Sequence, residues 1–243
     1  MTPRISALWV YLETTPLLGL TATLLAYVFA YRIYERARFN PLANPVAIAV
    51  AALVTLLALT GTPYKTYFEG AQFVHFLLGP ATVALAIPLY DQRAKLVKLA
   101  LPLLLGLTAG VATAIASAVG IAWALGASRE TLLSLAPKSV TMPIAMGIAE
   151  KIGGLPSLTA VLVMFTGITG AIIARPLLNA LRIQAHPTRG FAVGLAAHGI
   201  GTARAFQVSE EMGAFAGLAM GMTGLATAVV APWLAPWLIG LLR

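Results

Sequence analysis

The stretch Ala136-Pro137-Lys138-Ser139-Val140-Thr141-Met142-Pro143-Ile144-Ala145 sets one cation and two hydroxyls between two prolines inside an otherwise apolar segment. Two prolines at this spacing do not fit one straight helix, because each removes a backbone donor and clashes with the preceding turn. In a membrane, such a break is tolerated only where the loosened backbone faces protein or a water-filled cavity. The stretch therefore predicts a broken helix at a solute site.

The composition of the whole chain is that of an integral membrane protein. Of its 243 residues, 59% are hydrophobic and only 10% are charged, and the mean hydropathy is +0.88, unlike any soluble domain. Four uncharged runs reach the roughly 20 residues that a membrane-crossing helix needs: Phe39–Tyr64, Leu99–Ser128, Ile152–Ala174 and Met212–Leu242. Four weaker candidates are Leu8–Tyr31, Phe73–Tyr90, Thr131–Ala149 and Gly190–Val208.

These runs leave no room for a soluble module. We expect an all-α polytopic membrane protein that forms a single integral membrane domain over residues 1–243. The apolar part of Leu8–Tyr31 is longer than a signal-peptide core, so we expect it to be retained as a helix.

Clusters of cations predict the orientation of the chain in the plasma (inner) membrane. The net charge is +8, and the positive-inside rule places the main cationic groups in the cytoplasm: residues 32–38, 93–98 and 175–189, and Arg243. Three candidate spans separate Lys98 from Arg182, so one of them must fail to cross. Thr131–Ala149, with its two prolines, is expected to enter and return on the same face. This predicts about seven crossings plus one re-entrant or broken element, with the N-terminus outside and Arg243 inside.

A weak internal repeat suggests how the crossings are related. At an offset of 120 residues, Gly70, Gly79 and Thr82 recur as Gly190, Gly199 and Thr202. In the predicted topology the matched segments are antiparallel, which is the plan of secondary transporters built from inverted repeats with discontinuous helices. The repeats would cover about residues 6–125 and 128–243.

Polar residues in the weaker spans are the candidates for chemistry. A buried lysine is costly at membrane depth, so Lys138 is expected to face a polar cavity, the alternative being that it snorkels from the end of a half-helix to the interface. In the earlier segment, Pro80 and Pro88 flank Thr82, and the alternative there is an ordinary proline kink.

The segment from Ala197 to Arg204 combines a histidine, glycines, a hydroxyl and a cation. A guanidinium can hold a carboxylate with two parallel hydrogen bonds, and His198 can exchange a proton near neutral pH. The alternatives are a histidine satisfied by helix packing and an ion pair between Arg204 and Glu150, Glu210 or Glu211.

Together these residues define the predicted site. The substrate-binding set is Thr82, Lys138, Ser139, Thr141, Gly199, Gly201, Thr202 and Arg204; His198 is the proton-coupling candidate, and the helix breaks are Pro80, Pro88, Pro137 and Pro143. We expect these side chains to converge on one cavity near mid-membrane, with Thr82 opposite.

Enzyme signatures are absent from the sequence. Gly199-Ile200-Gly201 lacks the preceding strand of a dinucleotide site, Lys138-Ser139 lacks the glycines of a phosphate loop, and no His/Glu pair has metal-ligand spacing. We therefore expect no enzyme, no metal site, no cofactor and no nucleic-acid partner. A coupling H⁺ or Na⁺ is compatible with a transporter.

Four motifs resemble the LrgB/CidB family over nearly the whole chain from about Asn44 onward. They are 78–90, 137–145, 153–160, and 198–205 with the later glycine-rich run 213–221. The resemblance implies holin/antiholin-like regulators of murein hydrolase export and cell lysis, which usually stand beside a small LrgA/CidA-type membrane partner. It also implies transport, because plant relatives are plastidial glycolate/glycerate carriers and some bacterial pairs act in pyruvate uptake.

Two functions therefore stay open for this chain. A carrier of small monocarboxylates such as glycolate, glycerate, lactate or pyruvate explains why polar groups gather at helix breaks, since a carboxylate that crosses lipid must exchange water for such donors. A holin/antiholin-like lysis regulator needs only apolar helices that oligomerise. The expected partners are a small carboxylate, the lipid bilayer, an LrgA/CidA-type protein and further copies of the chain.

Overall fold

The computed structural model describes residues 16–40, 43–77, 80, 83–84 and 86–242, and the regular structure of these residues is all helical. The helices are α1 Pro16–Arg36, α2 Pro45–Thr60, α3 Tyr64–Phe76, α4 Ala86–Asp91, α5 Arg93–Ala124, α6 Arg129–Leu135, α7 Met142–Ile152, α8 Pro156–Ala180, α9 His186–Phe206 and α10 Glu210–Leu241. Contacts divide the chain into two compact units, residues 1–84 and 85–243. The single domain expected from the sequence stays a prediction.

Among the described residues, four helices are long and apolar enough to cross a membrane, judged by length and composition: α1, α5, α8 and α10. They confirm that the chain has several candidate spans. Three of them overlap strong predicted runs, and α1 overlaps the weaker run Leu8–Tyr31.

The fourth strong run, Phe39–Tyr64, forms a shorter helix than predicted. The Asn44 side chain accepts hydrogen bonds from the backbone of Val46 (2.9 Å) and Ala47 (3.2 Å), which starts α2 at Pro45. Gly61 ends it in the left-handed conformation with φ 69°. The 16 residues between these caps rise about 24 Å, short of the roughly 30 Å of a bilayer core.

In the first unit, α1 packs against α2 and α3. Gly19 of α1 lets the backbone of Tyr67 come close, and the hydroxyls of Thr23 and Tyr67 lie 2.7 Å apart. These contacts hold α3 on α1 through both backbone and side chain. The predicted site residue Thr82 lies outside the described ranges. Most neighbours of Pro80, where the sequence predicts a break, also lie outside them.

In the second unit, α5, the first part of α9 and α10 run in the same direction. Lys95 forms an ion pair with Glu211, which brings the beginnings of α5 and α10 to one end, called here the Lys95 end. Along the unit, Gly106 faces Phe191, and Gly194 lies against the backbone of Ala216. Helix α8 runs the opposite way, because Asn179 near its end accepts a hydrogen bond from Arg189 near the start of α9 (2.8 Å).

Residues 129–153 form a hairpin, called here hairpin 1, that leaves and returns to the opposite end of this unit. Its helix α6 stops at Leu135, residues 136–141 are not helical, and α7 then runs back. The chain after α7 returns to the last turn of α6: the backbone N–H of Leu155 donates to Ser134 Oγ (2.8 Å), and Thr159 Oγ1 donates to the Ser134 carbonyl (3.0 Å). The break that Pro137 and Pro143 predict is therefore present, and Pro143 lies in the first turn of α7, where proline is tolerated.

Helix α9 is a second hairpin, called here hairpin 2, that starts and ends at the Lys95 end. His198 has φ 41° and ψ −136°, which separates an outgoing arm, 186–197, from a returning arm, 199–206. A Cβ on Gly201 would lie 2.9 Å from the carbonyl oxygen of Val193, a closeness that a straight helix does not allow for residues eight apart. At the base, Ser209 Oγ and His186 Nδ1 are 2.9 Å apart.

Hairpin 2 corrects one prediction and bears on another. The segment Gly190–Val208 does not run through in one direction, because the chain reverses at His198. With that reversal, α10 starts at the Lys95 end and runs away from it over 32 residues. Leu241, where α10 ends, therefore lies away from residues 93–98; Arg243 lies outside the described residues, and its predicted side stays a prediction. The predicted grouping of 93–98 with 175–189 agrees with the structure.

The two hairpins predict which residues share a side of the membrane. The chain contains no cysteine, so single cysteines report accessibility without background. We expect Ser128→Cys and Ser157→Cys to be labelled from one side by an impermeant maleimide, and Gln184→Cys and Val208→Cys from the other. If Gln184→Cys and Val208→Cys react from opposite sides, α9 crosses and the hairpin is wrong.

Candidate functional site

An open groove in the second unit contains Lys138, the lysine between the two prolines of residues 136–145. The Lys138 groove has a volume of about 790 Å³ and is formed by α5, the break of hairpin 1, α8 and the outgoing arm of hairpin 2. Its polar lining residues are Thr113, Lys138, Ser139, Thr166 and Thr169. The rest of the lining is apolar or glycine, as in sites for small molecules that fix a ligand with a few polar groups.

Lys138 lies at the break because the flanking prolines prevent the chain from continuing as one helix. Only short turns remain there, with the Lys138 N–H donating to the Leu135 carbonyl (3.1 Å) and the Val140 N–H to the Pro137 carbonyl (3.2 Å). Lys138 Nζ lies 3.4 Å from Ser139 Oγ. Among the described residues no carboxylate pairs with it. The groove reaches α8 near its middle, which favours the cavity over snorkelling.

His198 is part of the corner of hairpin 2. Its side chain is 5% exposed, and Nε2 lies 2.9 Å from the Val163 carbonyl, so this nitrogen carries the proton. Thr202 Oγ1 donates to the His198 carbonyl (2.9 Å). This is the packing alternative of the sequence analysis; a proton-coupling role for His198 stays a prediction.

The close packing around this corner depends on two glycines. A Cβ on Gly167 of α8 would lie 2.7 Å from the His198 ring. A Cβ on Gly201 would meet Val193 across the hairpin. Both positions have room for a hydrogen only, so a larger residue at either one would displace the ring or the returning arm.

Arg204 lies in the last turn of α9, on the returning arm. Its Nη1 donates to Gln207 Oε1 (2.8 Å), and Arg204 does not line the Lys138 groove. Glu211, one of the proposed partners of Arg204, pairs with Lys95. Arg204 is therefore placed toward the Lys95 end and not at the helix breaks.

The described residues of the predicted site do not all line the Lys138 groove. Lys138 and Ser139 share the groove, whereas other predicted residues of this unit lie outside its lining: Thr141, His198, Gly199, Gly201, Thr202 and Arg204. The reason is the fold-back of α9, which turns Gly201 and Thr202 inward against Val193 and Met220. Pro88 lies in the first turn of the short helix α4, a position that does not break a helix.

The groove threonines Thr113, Thr166 and Thr169 were missed by the sequence analysis. They lie in long apolar helices where hydroxyls often bond to their own backbone, and Thr166 Oγ1 does donate to the Leu162 carbonyl (2.8 Å). Their spacing in α8 gives a weak signal, since residues three apart share a helix face.

The amino ends of two half-helices lie near one stretch of α10. A Cβ on Gly224 would lie 3.1 Å from Ile144 in the first turn of α7, and one on Gly199 would lie 3.8 Å from Met220 Sδ. Half-helix amino ends carry unpaired N–H groups and partial positive charge, which favour anions. In the described part of the chain, no three His, Cys, Asp or Glu side chains group as metal ligands.

Comparison with known proteins identifies the family. The model of the LrgB-like family matches residues 23–237. The uncharacterised protein YwbG of Bacillus subtilis is 37% identical over 90% of this chain and 96% of its own length. The holin-like protein CidB of Staphylococcus epidermidis is 30% identical over 91% of this chain and 96% of its own length. The antiholin-like protein LrgB of Bacillus mycoides is 29% identical over 92% of this chain and 97% of its own length. No solved structure matches the chain. The chain belongs to the LrgB-like family.

The glycine contact in hairpin 2 gives a stability prediction. Gly201→Ala should lower the thermal midpoint in detergent, because its methyl group would press on the Val193 carbonyl and overpacking costs about 1–3 kcal/mol. Gly221→Ala is the matched control, since a Cβ there meets nothing within 4 Å and alanine is the better helix former. Equal midpoints for Gly201→Ala and the unchanged protein would contradict the close packing of the two arms.

Proposed function

We propose that this member of the LrgB-like family carries small 2-hydroxy or 2-oxo monocarboxylates, such as glycolate, glycerate, lactate or pyruvate, across the plasma membrane. The observation that supports this proposal is Lys138: a cation without a carboxylate partner among the described residues, at a helix break, in a groove beside the middle of α8. An intramembrane cation so placed is a functional-site candidate by default.

The groove has the groups that a carboxylate needs in place of water. Lys138 offers an ammonium, and Ser139, which is 7% exposed, offers a hydroxyl next to it. Thr113 and Thr169 add further hydroxyls on facing helices. Hydrogen bonds between charged partners are about twice as strong as neutral ones, so a monocarboxylate is a better match for this groove than a neutral solute.

The two hairpins support a transporter plan. Hairpin 1 and hairpin 2 enter the second unit from opposite ends. Residues beside their breaks contact neighbouring positions of α10. Broken helices that meet at mid-depth are the arrangement of secondary transporters with inverted repeats. We propose that residues 129–153 and 186–206 are the inverted pair, in place of the 120-residue offset predicted from the sequence.

Orientation follows from the charges. The Lys95 end is proposed to be cytoplasmic, because residues 93–98 and 175–189 lie there, and α10 then ends outside. The number of crossings, an outside N-terminus, a homo-oligomer and coupling to H⁺ or Na⁺ remain parts of the proposal.

A holin/antiholin-like role is the second candidate, and the names of the relatives support it more directly than they support a carrier. CidB of S. epidermidis is named holin-like and LrgB of B. mycoides antiholin-like. The outward face of α10 suits such a role, since Trp233 is 80% exposed and Trp237 and Val229 are also exposed. A small LrgA/CidA-type membrane protein is the proposed partner for this activity.

Lys138 is the residue that tests the carrier. In liposomes, the unchanged protein should show saturable uptake of at least one of the four acids. Lys138→Met should lose about 2–5 kcal/mol of binding, the usual cost of removing one partner of a buried charged pair, while Lys138→Arg should keep part of the uptake. Lys151→Met is the matched control, because Lys151 ends the same hairpin outside the groove.

The results separate the carrier from the pore. Uptake of none of the acids, together with release of a large entrapped dye, would favour the holin-like role. If Arg204→Lys proves as damaging as Arg204→Ala while Lys138→Met keeps its uptake, the carboxylate clamp lies on Arg204 and not in the groove.

A further inference from the structure

Thr223 in α10 is a buried hydroxyl without a partner. The residue is 1% exposed, and its Oγ1 is the only fully buried side-chain polar atom among the described residues with no hydrogen-bond partner. Other buried hydroxyls of this unit, such as those of Ser134 and Thr159, are paired. Burying a polar group without a partner is costly, so an orphan of this kind needs a reason.

The position of Thr223 supplies a reason for the missing hydrogen-bond partner. It lies one turn after Met220, whose sulfur is 3.9 Å from Thr202 Oγ1 and faces Gly199. It directly precedes Gly224, which faces Ile144 in the first turn of α7. The orphan hydroxyl therefore belongs to the stretch of α10 that the breaks of both hairpins approach.

Each of these contacts on α10 is made by the first turn of a half-helix, at its amino end. Helix α7 begins at Met142, and the side chain of its N-cap residue, Thr141, makes no capping hydrogen bond. The returning arm of hairpin 2 begins at Gly199. The first N–H groups of a helix have no partner within it, and the helix dipole adds partial positive charge there.

We propose that Thr223, the amino end of α7 and the start of the returning arm of hairpin 2 form a buried subsite for the carboxylate of the carried acid. This subsite rests on the proposed carrier function and is separate from the Lys138 groove, whose lining does not include Thr223. The donors are one neutral hydroxyl and backbone N–H groups, a set that suits a monovalent carboxylate better than a doubly charged phosphate. Lys138 is then the entry contact, and Thr223 the inner one.

Thr223→Val tests the subsite, because valine keeps the shape of threonine and removes the hydroxyl. We expect roughly a ten- to hundredfold weaker apparent affinity for the transported acid, the size of a lost hydrogen bond to a charged group, with an unchanged or higher thermal midpoint. Thr223→Ser, which keeps the hydroxyl, should retain most of the affinity. Thr227→Val is the matched control, since Thr227 is also buried, one turn further along the same helix.

The outcomes are distinct. If the unchanged protein transports an acid and Thr223→Val transports it with the same affinity, the subsite is wrong and the carrier function stands. If the unchanged protein transports none of the acids, both fail together. If Thr223→Val does not fold, the comparison of Thr223→Ser with Thr223→Ala decides, and equal affinity in these two variants overturns the proposal.

Discussion

The reversal of the chain at His198 is the constraint on which the second unit depends. It places Gly201 against the Val193 carbonyl and both ends of α9 beside the beginning of α10, where His186 meets Ser209. The conformation of His198 is one that non-glycine residues rarely adopt. It persists because the surroundings hold it: the ring bonds to Val163 of α8, and Thr202 bonds to the His198 carbonyl. Contacts with α8 and with the returning arm thus hold one strained residue, and that residue determines where the returning arm begins.

The sequence predicts the first hairpin but not the second, for a physical reason. Proline breaks a helix through its own ring, so Pro137 and Pro143 predict a break whatever the rest of the fold is. The reversal at His198 is imposed by tertiary contacts, and Ala197–Thr202 in isolation contains nothing that forbids a helix except the mild preference of glycine for other conformations. Hydropathy does not help, because a hairpin buried in protein and a membrane-crossing helix are both apolar.

Charge patterning worked where several cations act together. Residues 93–98 and 175–189 do lie at the same end of the second unit, since Lys95 pairs with Glu211 and Arg189 with Asn179. Arg243 lies outside the described residues, so its predicted side stays a prediction.

The candidate site was likewise only half predictable. Lys138 and Ser139 stand out because a cation and a hydroxyl in apolar sequence are rare. The threonines of the groove do not, since a helical threonine can satisfy its hydroxyl on the preceding turn, as Thr166 does. Whether a given threonine faces a cavity depends on helix rotation, which is set by packing partners far along the chain.

The two candidate functions depend on different surfaces of the same helices. A carrier depends on the inward groups, on the unpaired charge of Lys138 and on the breaks of the two hairpins, none of which an assembly of apolar helices requires. A holin/antiholin-like role depends on outward apolar faces such as that of Trp233 and Trp237, which any membrane-embedded helix presents to lipid or to a partner helix. The outward apolar face therefore discriminates poorly between the carrier and the holin/antiholin-like role, because both functions predict such a face. Lys138 discriminates better: a cation in this position is costly, and the proposed carrier would use its charge to bind the carboxylate, whereas the proposed holin/antiholin-like role does not require it.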